Sequence, residues 1–162
     1  MAFWKRKTEG RKLPKFAEPN HKSPEAFILS FCQDYKAWND FCMAENAAED
    51  RSEEAKLMSR LERIYVEFVA GYVVPNTRLQ LISFGTHASF APDRLSFGTR
   101  EVADDRLTQK FSIKYTTGDG SDEFIAHLHR SEDHRFQLQQ IYYIDPFPDD
   151  PLDDQARFLP FL

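Results

Sequence analysis

From Ser23 onward the chain changes its apolar period once, and that change divides it into a helical and a stranded half. Ser23-Pro24-Glu25 reads as a helix start, with Ser as N-cap, Pro at the first helical position and Glu favourable at the positive end of the dipole. Phe27, Phe31, Tyr35, Trp38 and Cys42 follow at spacings of three and four, an apolar stripe that predicts a helix to about Glu45. Residues 46–51 form a polar break. A second helix is predicted from near Ser52. Leu57, Leu61, Ile64, Tyr65, Phe68, Val69 and Tyr72 mark its apolar face, and Gly71 and Pro75 end it.

After Pro75 the period becomes two. A first strand is expected over 77–84, apolar on both sides and so covered on both faces. A loop over 85–94 and a short, weak strand over 95–103 come next. Phe111, Ile113 and Tyr115 then alternate with polar residues up to the turn at Gly118-Asp119-Gly120. The return strand, 123–130, places Phe124, Ala126 and Leu128 on one face. A turn at 131–134 leads to the last strand, 135–145. Strict alternation there puts Phe136, Leu138, Tyr142 and Ile144 on one side, and Gln137, Gln139, Ile141 and Tyr143 on the other. Its length calls for a bend, with a bulge near Gln140. Pro146, Pro148, Pro151 and Pro160 keep the tail out of any central strand.

Helices first and strands after predict an α+β domain: two N-terminal helices on a strongly curved antiparallel sheet. The 123–130/135–145 hairpin lies near its centre, and Trp38, Phe68 and Phe111 are buried. The expected organisation is an arm over 1–22, a domain over 23–145 and a tail over 146–162. Ser83-Phe84-Gly85-Thr86 recurs as Ser96-Phe97-Gly98-Thr99, too short an echo for a repeat architecture.

At 162 residues one core suffices without cross-links, and 15 Phe supply flat side chains to close it. Cys32 and Cys42 fall within the first helix pattern and are expected to be reduced, buried residues of a cytoplasmic protein. No apolar run is long enough to span a bilayer, and the N-terminus lacks the apolar region of a secretory signal. A net charge of −5 argues against nucleic acid as a partner. The charge is polarised. Lys5, Arg6, Lys7, Arg11, Lys12, Lys15 and Lys22 crowd the first segment, whereas Asp145, Asp149, Asp150, Asp153 and Asp154 crowd the last. Either is a solvated end or a docking element for an opposite charge.

Phosphate-loop, dinucleotide-binding, kinase, serine-nucleophile and papain-like cysteine signatures are all lacking. His127 and His129, two apart on a strand, share a face. A metal would need further ligands, for which Glu123, His134 or His87 are the nominees, and no metal or cofactor is expected. Asp104, Asp105 and Asp145 adjoin strands, but nothing in the sequence selects any of them as an acid or base.

Element order, the strand ending Ile82-Ser83-Phe84-Gly85 and the terminal Gln140-Ile141-Tyr142-Tyr143-Ile144-Asp145 together resemble the NTF2-fold immunity proteins of bacterial polymorphic-toxin systems. The resemblance spans roughly 23–145. That family usually carries a Trp where this chain has Phe136-Gln137-Leu138. It implies a cone in which helices cover a bent sheet. It also implies a non-enzymatic role, occluding a cognate toxin inside the producing cell. Apart from the resemblance, no membrane partner is expected, and a homodimer, as in a structural dimerisation module, is a further possibility. The same fold class hosts enzymes and small-ligand binders that use the cone pocket, and that is the alternative. The partner surface expected from the residues is the sheet rim with its acidic end: Tyr143 as an exposed aromatic, Asp145, Asp149 and Asp150 around it, and His127 and His129 nearby.

Overall fold

The computed structural model describes residues 12–48, 51–77, 79 and 84–160. Helix α1 (Pro24–Ala48) starts where the sequence places it: Ser23 Oγ accepts the Ala26 N–H at 3.0 Å. It runs almost a turn beyond Glu45. A 3-10 turn (Arg51–Glu53) leads into α2 (Glu54–Val69), whose Leu57, Leu61, Ile64, Tyr65, Phe68 and Val69 are buried. The helices lock through Trp38, which stacks obliquely on Tyr65 at 5.0 Å and donates its indole N–H to Leu61 O at 3.0 Å.

Five antiparallel strands follow in simple meander order: β1 (Leu95–Ala103), β2 (Arg106–Lys114), β3 (Ser121–Arg130), β4 (Phe136–Ile144) and β5 (Phe158–Pro160). The β3–β4 hairpin sits near the centre, and Trp38, Phe68 and Phe111 are buried, as the apolar side of each element predicts. Immediately after α2, Leu138 N–H donates to Tyr72 O and Val74 N–H to Leu138 O, a short parallel bridge fastening the helical layer to β4. The strand expected over 77–84 falls largely on positions outside the described residues. Of its ends, Leu79 and Phe84 pack against the core, Phe84 edge-on to Trp38.

Two bulges bend the sheet. In β1 the register shifts between Phe97 and Arg100, and the buried Gln109 side chain donates to Gly98 O at 3.1 Å, serving a carbonyl at the break. In β4, His127 pairs with Gln140 and Leu128 with Leu138, so Gln139 is the extra residue. The bulge therefore lies where the length of the strand places it, and its consequence corrects the expected faces. Beyond it the alternation reverses phase. Ile141 is buried on the helix side with Phe136 and Leu138, and Tyr143, paired with Phe124, follows it there. Tyr142, paired with Ile125, turns outward.

β1 spans the 95–103 expected of it, and almost every residue in it is exposed, which is why its apolar period is weak. Two segments depart from the sequence reading. The loop over 85–94 belongs to the core: Phe90 is fully buried among Phe31, Tyr35, Phe111 and Phe124. Asn39 holds the loop's entrance with two hydrogen bonds to the Gly85 backbone, and Arg94 anchors its exit on Ala88 O and Lys114 O. Residues 12–22 pack back along the helices, with Phe16 stacked on Phe68 at 5.0 Å and His21 Nδ1 accepting the Phe136 N–H at 3.0 Å.

Candidate functional site

The face of the sheet turned away from the helices carries a groove of about 510 Å³, lined by Ile125 and His127 of β3, Tyr142 of β4, Asp154 and Phe158. It exists because the chain returns after the prolines. Asp145 N–H donates to Arg157 O and Phe158 pairs with Ile144, laying β5 along β4 and drawing Asp154 and Phe158 beside the outer side chains of β3 and β4. Within it His127 meets Tyr142 edge-on at 5.0 Å, and burial lowers the proton affinity of its imidazole.

The chain between β4 and β5, which leads into the groove-lining Asp154, is acidic and carries two exposed apolar side chains. Asp145 Oδ1 accepts the Phe147 N–H at 2.9 Å and Asp150 Oδ1 accepts the Leu152 N–H at 3.0 Å. These side-chain-capped turns hold the segment in shape while leaving Phe147 87% and Leu152 92% exposed. Asp149 is exposed between them.

Of the residues singled out in the sequence, His127 lines the groove, and Asp145, Asp149 and Asp150 lie on the segment that joins β4 to β5. Tyr143 does not form an exposed edge. It is half-buried on the helix side, 5.7 Å from Phe124, and burial, with Asp122 adding to it, pushes its phenol upward. The aromatic that faces the groove is its neighbour Tyr142, because the bulge at Gln139 exchanges their sides. His129 shares the outer face with His127, but its Nδ1 lies 3.3 Å from Asp105 Oδ2 at the β1–β2 turn. Among the described residues no group of three or more His, Cys, Asp or Glu gathers where a metal ion could be held. Ile125, Tyr142, Asp154 and Phe158 were missed in the sequence. One available signal was the apolar run Phe158-Leu159-Pro160-Phe161-Leu162, which does not suit a solvated tail.

The helix side of the sheet offers a second place for chemistry. Asp34 is buried there, and desolvation holds its carboxyl above the usual range. Both oxygens are already committed: Oδ2 accepts the Tyr72 hydroxyl at 2.6 Å and Oδ1 accepts the Ala17 N–H at 2.7 Å. The group acts as a clamp joining residues 12–22, α1 and the end of α2, rather than as a free acid or base. Cys32 and Cys42 are buried free thiols, Cys42 pushed up to about 12 chiefly by burial, so neither is a nucleophile at neutral pH.

Among the described residues no helix is long and apolar enough to cross a membrane. Comparisons of the chain with family models, with curated proteins and with solved structures return no match.

Proposed function

We propose that this chain is an immunity-type binding protein that neutralises a cognate bacterial toxin inside the producing cell, using the outer groove and the acidic segment that leads into it. The observation that carries the reading is the pair Phe147 and Leu152, almost fully exposed on the aspartate-rich segment that joins β4 to β5, the strands whose Tyr142 and Phe158 line the groove. Aromatic and aliphatic anchors supply most of the affinity of a protein interface, and carboxylates around them steer a basic partner and set the encounter rate. A basic toxin surface, such as that of a nuclease, suits this arrangement. The resemblance in element order and in the Gln140–Asp145 strand supports the same role.

A second reading, a small ligand held between helices and sheet, has one observation in its favour. The hydroxyl of Tyr65 is buried with no hydrogen-bond partner among the described residues. The surrounding space is closed by the rings of Phe31, Trp38, Phe68 and Phe90, which favours a structural interior.

The test is to search the neighbouring gene for a toxin domain and, with that domain in hand, to co-express it with this chain. Phe147→Ser with Leu152→Ser should abolish protection and raise the dissociation rate of the purified pair about tenfold or more, with the unfolding midpoint unchanged. Asp149→Ser with Asp150→Ser should mainly slow association and flatten its salt dependence. Full protection by a chain lacking residues 146–162 would remove this surface from the mechanism.

A further inference from the structure

A second cavity, of about 370 Å³, opens where the start of α1 meets the β1–β2 turn. Its charged lining comes from separate elements: Lys22 just before the N-cap of α1, Arg100 of β1, Arg106 of β2 and Arg130 at the end of β3. Asp104 and Asp105 of the turn also contribute, so cations outnumber carboxylates four to two. The carboxylates do not absorb the excess. Asp105 is engaged by His129, and Arg100 is paired at 3.3 Å with Glu25, which is outside the lining. Lys22, Arg106 and Arg130 form no ion pair among the described residues.

Cations gathered around one cavity repel each other, and the low-dielectric wall beside them strengthens that repulsion. Here the wall is apolar: Pro24, Leu107 and Phe136 are buried and Val102 completes it. The positive end of a 25-residue helix faces the same space and adds to the potential. Guanidinium groups match the oxygens of phosphate and carboxylate with paired donors, and an apolar wall favours a body attached to that anion.

We propose that this cavity binds a small organic anion, a phosphate or carboxylate carried on an apolar or ring-shaped body, with Lys22, Arg106 and Arg130 holding the charged end and Val102, Leu107 and Phe136 the body. The site is separate from the outer groove and does not depend on the toxin-binding reading.

Calorimetric titration of the full chain at low salt tests it, with phenyl phosphate, phenylacetate and neutral benzyl alcohol as probes. The expected result is saturable one-to-one binding of at least one anionic probe and none of benzyl alcohol. Arg106→Gln and Arg130→Gln, both exposed side chains, should each weaken that binding about tenfold without moving the unfolding midpoint. Arg63→Gln, on the exposed face of α2, should leave it unchanged. Phenyl phosphate binding alone assigns the site to phosphates, and phenylacetate binding equally well assigns it to anions in general. Absence of saturable binding by either anion up to about 10 mM, or equal weakening by Arg63→Gln, would overturn the proposal.

Discussion

Truncating Phe90 to alanine tests whether the loop between the helical and stranded halves is a structural member. The ring is fully buried, with centroids 4.9 Å from Tyr35, 5.0 Å from Phe124 and 5.5 Å from Phe31. Removing a buried phenyl ring costs about 3–5 kcal/mol through lost transfer energy and the cavity left behind. Each edge-on or tilted ring pair adds about 0.5–1.5 kcal/mol beyond burial. The neighbours come from α1, β2 and β3, so no single element can move in to fill the hole, and the upper half of that range is expected. In urea, with a slope of about 2 kcal/mol/M for a domain of this size, the midpoint should fall by about 2 M with the slope unchanged. A stability of about 5–15 kcal/mol leaves the variant folded enough to measure. Phe97→Ala, at a ring 38% exposed on β1, is the control and should cost about 1 kcal/mol or less. A loss below about 1.5 kcal/mol at Phe90 would show that the loop is peripheral and that the helix layer closes on the sheet without it.

Two further outcomes follow from buried titratable groups. His21 accepts the Phe136 N–H on Nδ1, and burial, followed by the Arg135 charge, holds its pKa below the ordinary value. Its contribution to stability is therefore present above about pH 6.5, the unfolded value, and is lost as pH falls through the lower folded value. Unfolding measured from pH 8 to 5 should show a stability loss on acidification that His21→Gln reduces, the remainder including His127, which burial also holds below its ordinary value, and an identical pH profile in the variant would refute the assignment. Cys32 and Cys42 should stay unmodified by a thiol reagent at pH 8 for as long as the chain is folded and react fully in denaturant. Fast labelling in the native state would mean that α1 opens readily.

The sequence by itself determined the two helices, the central hairpin, the α+β order and the burial of Trp38, Phe68 and Phe111. Each rests on a sustained local period or a cap, such as Ser23 beside Pro24, whose physics is complete within a few residues. It also located the bulge near Gln140 from strand length alone. What the bulge does to the side chains was decided in three dimensions. One extra residue, Gln139, exchanges Tyr142 and Tyr143 between faces, and the register that fixes this belongs to β3 as much as to β4. β1 was faint because an edge strand with both faces in water has no apolar alternation, and only its ladder to β2 defines it. Phe90 was hidden because a loop residue joins the core when distant rings surround it. The groove is the clearest case: Ile125, Tyr142 and Phe158 become one surface only after β5 pairs with β4, and that pairing spans a proline-rich stretch across which no local signal carries.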